Sequence, residues 1–353
     1  MRYFPKVSAI SFMIISLSLP LASAQEKGMN PKVGVNFLGL YQKSVEGNTP
    51  GAGTPNGFSF QEAELDFSAD VDPYLRGVGI FSIGEVEGTT PHDHEFAIEP
   101  EEVYLETISL PSWTLKLGKF KAAMGRHNAL HTHAFPFIDA PLVNQQLLGD
   151  EGLNDIGASA SALLPTSWFL ELTAQALSSR STPLYGSADP NALVGVAQLK
   201  NLWDLSDSTT VEFSLFGTTG KNASEKSSNV LGSDLTVKWR PTVGGKYRSL
   251  AWTTEYLRGL QASGERLGGL ASWVQYQFAE RWWIQGRIEQ LGIPRDPNFA
   301  PKQKQSALLG FFPSEFSGYR LQYDHQSEAG GDSNHSVALQ WNVSLGAHPA
   351  HAY

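Results

Sequence analysis

Strict period-two alternation, repeated along nearly the whole chain, limits what this sequence can fold into. Over 336–345, Val337, Leu339, Trp341, Val343 and Leu345 interleave one for one with Ser336, Ala338, Gln340, Asn342 and Ser344. Successive side chains of a strand point to opposite faces, so this segment has one apolar and one polar face. Trp168, Leu170, Leu172 and Ala174 alternate in the same way with Glu171, Thr173 and Gln175, as do Tyr319, Leu321 and Tyr323 with Arg320, Gln322 and Asp324. About sixteen such segments follow one another, near 33–41, 58–70, 74–84, 95–108, 112–120, 154–164, 166–177, 193–203, 208–219, 229–240, 248–260, 267–279, 281–291, 304–312, 315–326 and 334–346. Strands of soluble sheets are commonly ~5–6 residues long, whereas a tilted strand crossing a bilayer needs ~9–11. The lengths and the even count predict an all-β transmembrane antiparallel barrel rather than a sandwich.

The connections and the tryptophans point the same way. Every second connection is expected to be short, as at 71–73, 109–111, Pro165, 205–207, Glu280 and 313–314, and the others longer and rich in Gly, Ser, Asn and Pro. Short turns on one side and long loops on the other characterise outer-membrane barrels. With that topology Trp113, Trp168, Trp203, Trp239, Trp252, Trp282 and Trp283 fall near the short-turn end, at the level of an interfacial aromatic girdle.

The N-terminal segment supports export. Arg2 and Lys6 precede an apolar run over 7–22, and Ala22-Ser23-Ala24 offers a cleavage site before Gln25. Residues 1–24 are thus expected to be a signal peptide and 25–353 a single barrel domain in the Gram-negative outer membrane, with membrane lipids as partners. Loss of Arg2 and Lys6 would move the formal charge from −9 to −11. That acidic balance argues against nucleic acid as a partner. Without cysteine, disulfides are excluded and a metal could be held only by histidines and carboxylates. Past the last strand, Pro349 in "AHPAHAY" cannot donate to a ladder, so 347–353 is expected to be a tail.

The stretches "EAELDFSADVDPYLRGVGIFSIGE" (62–85), "EEVYLETISLP" (101–111) and "LKLGKFKAAMGRHNALHTHAFPFIDAPLVNQQLLGDEGLNDIGASASALLP" (115–165) carry a resemblance. The chain resembles outer-membrane porins of the phosphate-selective O/P type and the related zinc-regulated outer-membrane proteins. It does so over about the first third of the mature chain; beyond Pro165 only the strand rhythm matches. The resemblance implies sixteen strands, a homotrimer, and a third external loop that folds into the barrel and narrows the pore. The third external connection here is 121–153, the longest in the chain, and Phe135, Phe137, Ile138, Leu142, Val143, Leu147 and Leu148 make it too apolar to float in water.

Candidate site residues follow from that layout. Lys121, Arg126, His127, His131, His133 and Asp139 are expected at the constriction, and Glu62, Glu64, Arg76, Glu102, Lys116, Arg287 and Arg320 on the pore wall. Rings of charge in a narrow pore select ions, but both signs occur here, so the preference is not legible. The arginine ladder and lysine cluster of phosphate-selective relatives have no counterpart on these strands. The leading expectation is passive diffusion of small hydrophilic solutes or ions, with no catalysis and no cofactor. Zinc is the alternative: His127, His131 and His133, with His92 and His94 on a neighbouring loop, could supply a ligand set for a metal-responsive channel or receptor. A third reading, a barrel enzyme, would place a dyad among Asp324, His325 and His335; no G-x-S-x-G or H-E-x-x-H motif is present.

Overall fold

The structure, a computed structural model, describes residues 31–46, 56–87, 94–180, 184–245, 247–260, 266–295, 299–331 and 333–346. The expected signal peptide and C-terminal tail lie outside these residues. Sixteen strands follow in order: β1 (Lys32–Glu46), β2 (Gly57–Asp70), β3 (Leu75–Glu87), β4 (His94–Thr107), β5 (Trp113–Lys121), β6 (Asn154–Leu163), β7 (Phe169–Ser178), β8 (Leu193–Ser206), β9 (Thr209–Lys221), β10 (Ser227–Trp239), β11 (Ser249–Leu260), β12 (Arg266–Ala279), β13 (Trp282–Leu291), β14 (Lys302–Ser314), β15 (Ser317–Glu328) and β16 (Ser333–Gly346). Each pairs antiparallel with its neighbours in sequence, and β1 pairs with β16 from Gly34↔Gly346 onward, so the sheet closes without an edge. No helix among the described residues is long and apolar enough to cross a membrane; the chain crosses with strands.

Burial is inverted relative to a soluble protein. On β13, Gln285, Arg287 and Glu289 are buried while Ile284 and Ile288 are exposed; on β14, Lys304 and Ser306 are buried and Leu309 is exposed. Exposed Phe37, Leu105, Leu117, Ile156, Leu172, Leu231, Val274 and Leu339 continue the apolar face around the barrel. Contiguous apolar area of that extent far exceeds what a soluble surface carries, and only lipid satisfies it. Trp113, Trp168, Trp239, Trp252 and Trp282 are exposed on the same outer face. Two tryptophans turn inward instead: Trp273, 2% exposed, and Trp283, which was expected in the girdle but shares the phase of Gln285 and Arg287 on β13.

The expected loop asymmetry is only partial. The turn after β9 spans just 222–226, on the side of the long loops, and the connection between β10 and β11 runs over 240–248 on the side of the short ones. Pro241 offers no donor to a ladder and Gly244 takes a positive φ of 77°, so the chain turns there instead of extending the sheet.

Two bulges shape one part of the inner wall. On β4, Ile80 pairs with Glu102 and Phe81 with Pro100, which leaves Glu101 as an extra residue. On β2, Leu38 pairs with Glu62 and Gly39 with Phe60, which leaves Gln61 extra. Each bulge aims an additional polar side chain inward.

Candidate functional site: the segment packed against the inner wall

Residues 122–153 connect β5 to β6 and carry two short 3-10 helices (His127–Ala129 and Thr132–Ala134) and one α-helix, α1 (Leu142–Leu148). Asn128 closes the base of the connection. Its side-chain amide donates to the Ala122 and Leu153 carbonyls (2.9 and 3.1 Å), and its oxygen accepts from the Leu153 N–H (2.7 Å). Gly125, at φ 71°, turns the chain toward β11; a Cβ there would lie 2.9 Å from the Phe216 ring and 3.1 Å from the Glu255 carboxylate. Beyond these pivots the segment meets inward side chains of strands all around the barrel.

Three polar clusters anchor it. At the first, Glu255 on β11 accepts from the Arg126 and His127 backbone N–H groups (2.9 and 3.0 Å) and the Asn144 amide (2.9 Å). The Arg126 guanidinium lies 3.3 Å from Glu212 on β9, which Lys200 on β8 also approaches (3.4 Å). At the second, Asp139 meets Arg287 on β13 (2.9 Å), Lys304 on β14 (2.5 Å) and the Gln322 amide on β15 (2.8 Å). Glu289 accepts the Leu142 N–H, and Arg320 donates to the Phe135 carbonyl, each at 2.5 Å. At the third, His131 Nδ1 lies 2.5 Å from Glu101 and 3.2 Å from Glu64, and His133 Nδ1 lies 3.2 Å from Glu64.

Apolar packing fills the intervals. Val143, Leu147 and Leu148 of α1 join Met124 in a cluster with Val194, Val196, Phe216, Val230, Leu257, Leu267 and Leu291. Phe137 and Ile138 pack with Leu40, Ala271, Trp273, Leu308 and Ala338. The apolar residues of 122–153 thus bury against inward apolar patches instead of facing water.

The electrostatics of the segment follow from these neighbours. Burial alone would push the Asp139 carboxyl up, but Arg287 and Lys304 hold it well below the usual carboxylate range. Burial would likewise lower His131, yet its hydrogen bonds to Glu101 and Glu64 raise it to about 10, so the imidazolium is the resident form. His127 has no such carboxylate: burial, with Arg287 and Lys121 adding repulsion, lowers it to about 3, and its ring packs on Phe135 at 4.4 Å. The expected trio of histidines is corrected accordingly. His131 and His133 share a carboxylate, while His127 sits beside Phe137, Asp139 and Trp273 as a neutral packed ring.

The other expected residues divide by level. Lys121 lies 4.0 Å from Glu101, its N–H donates to Glu102 (2.9 Å), and Glu62 is partly buried with one oxygen unpartnered. Arg76 pairs with Asp70 (2.7 Å) and Lys116 sits 3.9 Å over the Tyr104 ring, both toward the short-turn end and away from 122–153. His92 lies outside the described residues, and His94 begins β4. The expected enzyme dyad is not built: adjacent strand residues face opposite ways, so Asp324 turns to Ser306 and Gln322 while His325 stacks on His335 at 4.4 Å. Glu101, Glu289, Lys304 and Gln322, with Gln340 behind Arg320, are the contacts that sequence reasoning missed. Glu289 and Lys304 were findable on the polar phase of their strands; Pro100, awkward inside a ladder, was the available hint of the bulge at Glu101.

A closed antiparallel barrel of sixteen strands with an apolar outer face and a polar inner one defines an outer-membrane β-barrel of the Gram-negative type. Known structures share this fold: OprB of Pseudomonas putida (TM-score 0.63, 8% identity, covering 89% of this chain and 94% of that one) and the outer-membrane channel DcaP of Acinetobacter baumannii (0.60, 12%, 92% and 100%). An anion-selective porin from Comamonas acidovorans is also similar (0.57, 10%, 90% and 99%). In sequence the chain is 28% identical to an uncharacterised protein of Aquifex aeolicus strain VF5, over 84% of this chain and 70% of that one. No family model matches.

Proposed function

We propose that the protein is a passive outer-membrane channel for small hydrophilic solutes or ions, whose aperture is set by residues 122–153. One observation carries this reading. Sixteen strands enclose enough room for a water-filled lumen, so inward polar residues of an open barrel would be wet. Here Glu255 and Gln340 are 0% exposed, Gln322 1% and Glu64 2%, and all but Gln340 bond directly to 122–153. Gln340 is held by Arg320 and Gln61, which themselves bond to that segment. Such a packed segment restricts passage.

No bond is made or broken in this function; the chain supplies a path, a width and a field. Phosphate specificity forms no part of it, because Arg76, Arg287 and Arg320 are each engaged with a carboxylate, amide or carbonyl. The homotrimer implied by the porin resemblance accompanies the proposal, and the molar mass of the detergent-solubilised protein checks it.

Planar-bilayer recording tests the function. Refolded protein should give discrete, stable conductance steps, and the reversal potential in a KCl gradient should report which sign of charge governs the path. Absence of steps from protein shown to be folded would overturn the channel reading.

A further inference from the structure

We infer that Glu64, Glu101 and His131 form a binding site for a first-row divalent transition cation, with His133 beside it. The site clips residues 122–153 to strands β2 and β4, so the inference rests on the channel reading and deepens it.

The geometry is that of a ligand set. One donor atom from each of Glu64, Glu101 and His131 lies within 4.8 Å of the other two. Around a tetrahedral cation with bonds of ~2.0–2.1 Å, neighbouring donors stand roughly 3.3 Å apart. His131 Nδ1 and His133 Nδ1 are each 3.2 Å from Glu64, and the two rings run nearly parallel, 15° between planes with centroids 6.0 Å apart. The 2.5 Å approach of His131 to Glu101 is the one contact closer than a metal allows; a proton shared there occupies the cation's place. Binding would release that proton to solvent and separate the two donors by under 1 Å.

Independent observations mark the site as short of positive charge. Glu64 is 2% exposed, yet its Oε1 has no hydrogen-bond partner, and the same holds for Oε1 of neighbouring Glu62. Asp66, one step along the same face of β2, adds a further carboxylate, held by the Asn36 amide at 3.3 Å. Four carboxylates thus gather against two basic groups, His131 and Lys121, the latter 4.0 Å from Glu101. Buried carboxylates need counter-charge or a metal. The donors choose the cation class: imidazole with carboxylate favours zinc-like ions over magnesium or calcium, which prefer oxygen shells. The bulge that leaves Glu101 extra is what turns it toward the site, and Glu64 lies on the next wall strand but one.

Equilibrium dialysis of the untagged, refolded chain against Zn2+, with Mg2+ in parallel, tests the inference. Stoichiometric Zn2+ uptake at micromolar concentration is expected, with none of Mg2+ at the same concentration. Glu101→Gln and His131→Asn should each weaken Zn2+ uptake at least roughly tenfold, the scale on which even residues that merely support metal ligands act. His127→Gln should leave it unchanged. Folding of every variant is checked by heat-dependent gel mobility, and Glu101→Gln, which keeps size and shape, guards against loss of fold at His131. Failure of folded wild-type protein to take up Zn2+, or uptake indifferent to both substitutions, overturns the site. Because dialysis needs no conductance, a channel that binds no zinc contradicts only the site, and zinc uptake by a non-conducting barrel contradicts only the channel.

Discussion

Asp139, in the connection between β5 and β6, sits 2.9 Å from the Arg287 guanidinium on β13, a residue 148 positions later in the chain. Arg287 also stacks on Phe137 at 4.5 Å and reaches Glu289 at 2.9 Å, so one buried cation joins the tip of 122–153 to the wall.

Removing one partner of a buried pair leaves the other charge uncompensated and typically costs about 3–5 kcal/mol. Asp139→Ala leaves Arg287 with Glu289 (2.9 Å) and Lys304 with Asp324 (3.7 Å), so it is expected to cost less than that, about 1–3 kcal/mol, and to raise conductance by releasing the tip. Chemical denaturation and single-channel recording check both effects. A variant with unchanged conductance and stability would show that the pair does not hold the segment.

Acid should loosen the segment through His127. Its folded value, about 3, lies below the ordinary 6.5, so the stabilisation from keeping it neutral is complete above 6.5 and is lost as pH falls toward 3. Conductance is expected to rise across that window, and His127→Phe, which keeps a ring against Phe135, should remove much of the rise. An acid response identical in the variant would assign it to other groups.

Alkali should act through His131 in the opposite sense. With a folded value of about 10 against 6.5, its contribution is full below 6.5 and is lost as pH rises to about 10. A pH titration of conductance in His131→Asn should lack the alkaline opening expected of the wild type. Retention of that opening would contradict the ion pairs with Glu64 and Glu101.

The pivots give a prediction free of charge. Asn128→Ala removes all three closing hydrogen bonds and leaves buried backbone groups unpaired, at about 1–3 kcal/mol for each group left unsatisfied. Gly125→Ala forces a left-handed conformation on alanine, at about 1–2 kcal/mol, and crowds Phe216 and Glu255. Both should show noisier, larger open steps and faster proteolysis within 122–153. Wild-type behaviour in both would mean that the base of the connection does not govern its packing.

Much of the fold could be read because a strand's period is local. The inward phase of Glu64, Glu255, Arg287 and Arg320 follows from neighbours two residues away, and the count of sixteen strands follows from repeating that rule. The site was legible only in part. Membership of His131 and Asp139 in the constriction followed from loop length and apolar content. Their partners did not, since Asp139–Arg287 and His131–Glu101 are set by the path of a connection across the barrel. Bulges hid Glu101 as well, because one extra residue inverts the face that alternation assigns. His127 was grouped with His131 by spacing, whereas burial beside Arg287 and Phe135 separates them.

In the proposed channel, residues 122–153 set the aperture. Lys121 and Asn154 are paired residues of one hairpin, so 123–152 can be replaced by an Asn-Gly turn without altering the barrel wall. Single-channel conductance of that variant, compared with the wild type in the same bilayer and salt, is the most direct measurement. A several-fold larger conductance is expected, with passage of larger sugars in liposome-swelling assays. Equal conductance from two equally folded barrels would contradict the claim and place the limiting aperture elsewhere on the wall.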